Sequence, residues 1–169
     1  MVEEFEQTRF QASPNTVPWP PIILISAVII GWLMNSKLQS FAGIPMVGHY
    51  LIAGLLVWPG WLLIALAIAM DVWVLMIFKT HETNIRPDRP AESLVNTGPF
   101  AYSRNPVYVG NVAIMAGLAM VSGSLWYLLL AIAVFFLIQE LAIKREEQHL
   151  AVRFGENWSS YSASVRRWL

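Results

Sequence analysis

Long runs of this sequence carry almost no charge, and that one feature decides most of what the chain can fold into. Inside a bilayer no water is available for backbone N–H and C=O groups, so an apolar run of roughly 20 residues must satisfy them internally as a helix. Four such runs stand out, at about residues 20–36, 60–78, 106–121 and 125–143. The chain is 56% hydrophobic and 13% charged, where an average soluble domain has about 25% charged residues. The expected fold is all-α: a polytopic membrane helical bundle of about four transmembrane helices, followed by an amphipathic helical segment. Residues 1–169 are expected to form a single domain.

The boundaries follow from turn and interface residues. Pro18, Trp19, Pro20 and Pro21 open the first span, where a tryptophan suits the membrane interface and prolines suit a first helical turn. Between Asn35 and Tyr50, Gly43, Pro45 and Gly48 read as breakers. Pro59-Gly60 interrupts the next apolar run, so the second span is placed from about Gly60. Leu51 to Trp58 then either extends it past a kink or lies near the interface. Ser122-Gly123-Ser124 allows only a tight hairpin between the third and fourth spans. Beyond Lys144, the residues Leu150, Phe154, Trp158, Tyr161, Val165 and Trp168 recur every three or four positions, one apolar stripe on a helix that Gly155 should bend.

Positive charge sets the orientation. Lys79, Arg86, Arg89 and Arg104 lie in the long loop, and Lys144, Arg145, Arg153, Arg166 and Arg167 in the tail, against Lys37 alone on the other side. Lys and Arg favour the cytoplasmic face, so both termini and the long loop are expected there. The acidic start, Met1 to Pro14, argues against a cleaved signal peptide. No internal repeat of the transporter kind is visible. A net charge of zero gives no footprint for nucleic acid. Without cysteine, and with His49, His81 and His149 far apart, no metal site is expected.

Two polar clusters face the expected cytoplasmic side. The first runs from Leu94 to Gly110. There Asn105-Pro106 reads as a helix N-cap and first residue, whose free amides could hold an anion. Arg104 adds a fork for a carboxylate, or simply snorkels to phosphate headgroups. The second is Lys144-Arg145-Glu146-Glu147. Adjacent helical side chains point about 100° apart, so only one of the two glutamates is expected to face the bundle. A structural reading pairs Glu140 with Lys144 at four-residue spacing, with both glutamates solvated. A functional one turns a glutamate inward onto hydroxyls, an amine or a cation. Asp71, inside the second span, is a ligand or proton-relay group, or one satisfied by neighbours such as Trp73, or one that stays protonated.

Leu94-Val95, Gly98 and then Arg104-Asn105-Pro106-Val107-Tyr108-Val109-Gly110 resemble the central motif of the isoprenylcysteine carboxyl methyltransferase and phospholipid methyltransferase superfamily. Glu146-Glu147, Leu150, Phe154-Gly155, Trp158, Tyr161, Val165 and Arg167-Trp168 resemble its ending. The resemblance runs from about Thr83 to Leu169, and implies a short, bacterial-type membrane member. It implies S-adenosyl-L-methionine as cofactor, wrapped between residues of about 83–110 and 144–169. By position the cofactor-binding candidates are Leu94, Val95, Gly98, Phe100, Arg104, Asn105, Pro106, Tyr108, Glu146 and Glu147, with Arg104 and Glu147 as catalytic candidates.

The residue types suit that cofactor. Arg104 and the helix amides suit its carboxylate, a glutamate its ammonium or ribose hydroxyls, and Tyr102, Tyr108 or Phe100 its adenine or sulfonium face. Asn105 replaces the superfamily's usual histidine and Phe100 its tyrosine. Glu92 stands where eukaryotic prenylcysteine enzymes carry histidine, which argues against that acceptor. The implied function is methyl transfer to a lipophilic or small-molecule acceptor: a prenylcysteine carboxylate, a lipid amine or a thiol. Two competing readings are an NADPH-dependent membrane reductase of the sterol-reductase type and a non-catalytic membrane protein.

Overall fold

In the computed structural model, the described residues are 19–38, 46–80 and 93–169. The acidic start, Gly43, Pro45, His81, Arg86, Arg89 and Glu92 lie outside them. Every regular element among the described residues is helical. These are α1 (Trp19–Leu38), α2 (Met46–Thr80), a 3-10 turn (Gly98–Ala101), α3 (Pro106–Ser122), α4 (Leu125–Ile138), a π-turn (Gln139–Ile143), α5 (Lys144–Phe154) and α6 (Glu156–Ser164).

Among the described residues, three helical stretches are long and apolar enough to cross a bilayer: Trp19–Lys37, Gly54–Thr80 and Leu125–Phe154. The fourth expected span, α3, has 17 residues, the short end of what a bilayer core of about 30 Å requires. The chain is an integral, multi-pass membrane protein. Most of its exposed large apolar side chains, Trp32, Leu55, Trp58, Trp61 and Leu66 among them, lie on these spans. They form the surface that a hydrocarbon environment favours.

The break expected at Pro59-Gly60 does not occur. α2 is one helix of 35 residues with Pro59 inside it, so Leu51 to Trp58 continues the same helix and Gly48 is helical. Leaving the helix would strip several backbone groups of partners in lipid, whereas proline removes only one N–H. Gly60 earns its place by contact instead: a methyl there would lie 3.0 Å from the Gly117 carbonyl oxygen of α3. α4 continues through the π-turn into α5 without interruption.

Packing runs through small residues. α2 and α3 meet along Gly60, Ile64 and Ala67 on one side and Gly110 and Gly117 on the other. α1 lies on α4, where Gly31 faces the Tyr127 ring and the Tyr127 hydroxyl donates to the Val28 carbonyl at 3.4 Å. The α3–α4 hairpin closes as expected, with Gly123 at φ 61 and its N–H donated to Ala119. This hairpin sets the end of α4, and hence α5, beside the loop that precedes α3.

Asp71 presents a buried Oδ1 with no hydrogen-bond partner, at 2.9 Å from where a methyl on Gly110 would sit. The expectation that neighbours satisfy it fails for that oxygen. An unsatisfied buried acceptor costs about 1–3 kcal/mol. Asp71→Val is therefore expected to raise the midpoint of thermal unfolding in detergent by a few degrees. A lower midpoint would show that the carboxyl stabilises the folded protein despite its unpartnered oxygen.

Candidate functional site

The loop before α3 is shaped by its own residues. Gly98 adopts φ +60, a backbone that side-chain-bearing residues rarely take, and a methyl there would meet Ile77 at 3.2 Å. Pro99 then pre-sets a 3-10 turn, in which the Phe100 N–H bonds Thr97 and the Tyr102 N–H bonds Pro99. Phe100 is buried with Val74 and Val95, and its ring lies 5.4 Å from that of Phe78. Tyr102 points away, 75% exposed.

Asn105 stands at the N-cap position of α3, but its side chain does not cap the helix. Its Nδ2 instead donates to the Arg167 carbonyl at 2.9 Å. Pro106 has no N–H to give, and the Tyr108 and Val109 amides both go to the Asn105 carbonyl at 3.0 Å. The Val109 bond is the ordinary first bond of the helix, so of the free amides expected to hold an anion the local turn takes that of Tyr108, and Pro106 has none.

Both glutamates of the second cluster are engaged, Glu146 toward α3 and Glu147 toward the chain end, so the reading that leaves both solvated fails. The Tyr108 hydroxyl donates to Glu146 Oε1 at 2.6 Å. Glu147 receives Arg167 in a two-pronged pair, Nε to Oε1 at 2.9 Å and Nη2 to Oε2 at 2.6 Å. Arg104 Nη1 lies 3.4 Å from the same Oε1. The reason is a surface that periodicity alone cannot reveal: the chain end returns past α6 and faces the side of α5 that the bundle does not cover. The pair of Glu140 with Lys144 is present as expected, at 2.6 Å and exposed.

The returning end is held by its backbone as well. The Arg104 N–H donates to the Arg166 carbonyl at 2.9 Å, and the Ser103 hydroxyl reaches the Arg167 carbonyl at 3.5 Å. Trp168 stacks on Phe135 with centroids 4.5 Å apart, and its indole N–H donates to Gln139 of the π-turn at 3.1 Å. The Arg104 guanidinium sits 5.5 Å from the centre of the Trp158 ring, an attraction worth about 0.5–1 kcal/mol or more when desolvated. Side chains of Arg104 and Glu147 are only 14% and 15% exposed, so salt screens this pair weakly. The Glu147 hydrogen bonds raise the Arg167 guanidinium still further above its usual range.

α6 supplies the opposite wall. Gly155, at φ +50, breaks the tail helix where expected, and Trp158 and Tyr161 become buried. The Tyr161 hydroxyl donates to the Phe100 carbonyl at 2.7 Å, and burial pushes it up to about 12 despite nearby Arg104. Between this wall and the loop lies a half-open cleft of about 560 Å³, lined by Leu94, Asn96, Asn157, Ser160, Tyr161 and Ser164 among others. The polar face at 157, 160 and 164 follows helical spacing. It was legible in the sequence but masked by the stronger apolar stripe. Arg167 appeared there only as part of the chain's ending.

A family model for phospholipid methyltransferases matches residues 46–157. The chain belongs to the phospholipid methyltransferase family. It is therefore a membrane methyltransferase that uses S-adenosylmethionine, and the reductase and non-catalytic readings give way. Neither a curated protein nor a solved structure matches the chain. The matched segment spans α2 to the first residues of α6, and leaves the Arg166–Trp168 strap outside it.

The donor set fits the cofactor. Arg104 Nε is a buried donor with no partner, the chemistry a carboxylate requires. Arg104, Arg167 and Glu147 together carry one net positive charge. The neighbouring cleft offers uncharged amides and hydroxyls of the kind that bind a nucleoside. Among the described residues, no three His, Asp or Glu side chains gather as a metal site.

Proposed function

We propose that this membrane methyltransferase methylates the amine headgroup of a membrane lipid at a site formed by the Leu94–Tyr108 stretch, α5, α6 and the chain end. The observation that carries the reading is the Arg104–Glu147–Arg167 cluster, in which Arg104 Nε is buried without a partner. Arg104 would hold the carboxylate of S-adenosylmethionine. Glu147 or Glu146 would meet its ammonium, and Asn96, Asn157, Ser160 and Ser164 its nucleoside part. The cofactor, when bound, supplies a methyl group activated by a sulfonium centre.

The chain's own contribution is positioning, which can supply many kcal/mol of rate enhancement without a strong base. An amine acceptor must still reach the site unprotonated. The family name favours a lipid amine over a thiol or a prenylcysteine carboxylate. The lipid-facing helices support an acceptor that arrives from the bilayer with its tail still embedded. The excess of Lys and Arg in the loop and tail supports a cytoplasmic site and cytoplasmic termini.

Titration of the purified protein with S-adenosylmethionine tests the first half of the proposal, and transfer of labelled methyl to phospholipids of different headgroup tests the second. Arg104→Ala is expected to weaken cofactor binding at least tenfold, about 1.4 kcal/mol. Unchanged affinity would place the carboxylate elsewhere. Transfer to a soluble thiol but to no amine lipid would overturn the acceptor.

A further inference from the structure

One residue ties together parts of the site that are far apart in sequence, and it lies beyond the segment that the family model matches. The Arg167 side chain binds both oxygens of Glu147 on α5, and its carbonyl accepts the Asn105 amide at the start of α3. Next to it, the Arg166 carbonyl accepts the Arg104 N–H, and Trp168 is anchored on Phe135 and Gln139. Arg104 is thereby fixed at three points: its backbone by Arg166, its Nη1 by Glu147 and its flat face by Trp158. Its Nε is left without a partner.

We infer that Arg167 is a positioning residue of the cofactor site, which orients Glu147 and, through it, keeps the Arg104 fork aimed with Nε free for an anionic group. This rests on the cofactor reading above. Without the two-pronged pair, Glu147 is free to turn and take Arg104 in the same bidentate manner. That closes the donor which the ligand needs. Lysine at 167 would preserve the charge but not the fork, since an ammonium is a point charge. The same strap accounts for Asn105 where the superfamily commonly has histidine: the position needs an N–H donor toward the Arg167 carbonyl, and the amide supplies one.

The test compares Arg167→Gln, Arg167→Lys and Trp168→Phe in the full-length protein in detergent. Two readouts are taken: S-adenosylmethionine affinity by titration, and thermal unfolding without ligand. Expected is a loss of affinity of tenfold or more for Arg167→Gln and about fivefold for Arg167→Lys, the latter with a melting midpoint close to wild type. Trp168→Phe, which loses only the indole bond to Gln139, is expected to lower the midpoint while binding within twofold of wild type. Arg167→Lys binding like wild type would overturn the inference. So would losses of affinity that track the fall in midpoint equally across all three variants. Absence of binding by the wild-type protein would instead remove the cofactor reading on which the inference stands.

Discussion

Glu147→Ala is expected to abolish measurable S-adenosylmethionine binding and to lower stability by about 2–3 kcal/mol. Two guanidinium groups converge on this carboxylate, at 2.6 Å from Arg167 and 3.4 Å from Arg104. Removing it leaves like charges facing each other in a partly buried site. Breaking a fully buried pair from one side costs about 3–5 kcal/mol. The figure here is lower because Arg167 is 37% exposed and water can re-solvate it. The binding loss has a separate origin, since Arg104 would lose the contact that sets its fork. Titration and chemical unfolding on the same preparation separate the two effects. Glu147→Ala that binds the cofactor normally would show the cluster to be structural only. Glu146→Gln is a useful contrast, because the Tyr108 hydroxyl can still donate to the amide oxygen.

Gly117→Val is expected to prevent correct assembly of α2 against α3, with a loss above about 3 kcal/mol. A methyl at 117 would lie 2.5 Å from Ile64 Cγ1 and 2.9 Å from the Gly60 carbonyl oxygen. The isoleucine tip can rotate, but a carbonyl inside a membrane helix cannot move without losing its own hydrogen bond. The close approach of these two helices is also what carries Val74 to Val95 and Phe100, so the loop preceding α3 should lose its support. Reduced yield of monodisperse protein and loss of the cooperative melting transition would register the effect. A folded variant with wild-type cofactor affinity would show that the helices can separate without disturbing the site. By comparison Gly54, which has nothing within 4 Å of a would-be methyl, should accept alanine freely.

Several features were readable from residues alone because their physics is local or uniform. A run such as Leu125 to Ile143 has one stable arrangement in lipid, whatever surrounds it. The Ser122-Gly123-Ser124 hairpin needs no tertiary information, since three residues permit little else and Gly123 accepts the left-handed backbone. The Glu140–Lys144 pair and the bend at Gly155 depend on spacing within one helix. The grouping of Arg104 with Glu147 was reachable through the resemblance of the two motifs and the hairpin between them.

What misled the sequence reading were signals calibrated on water. Pro59-Gly60 and Gly48 mark breaks in a soluble protein, yet in α2 the medium penalises a break more than the proline does. Asn105-Pro106 has the pattern of a helix cap, but a carbonyl 62 residues away offers its amide a better-placed acceptor. Periodicity allowed one inward glutamate because it assumed a single buried face. The returning chain end creates a second.

The sequence by itself therefore determined the medium, the helical class, the family and the two stretches that carry chemistry. Each depends on composition or short-range spacing. Only the tertiary structure decided how the polar groups are shared: Glu146 with Tyr108, Glu147 between two arginines, and Asn105 with the Arg167 backbone. Ion pairs and hydrogen bonds are selected by ångström-scale distances between elements. Those distances are set by glycine contacts, the π-turn and the last few residues of the chain, none of which has a periodicity to read.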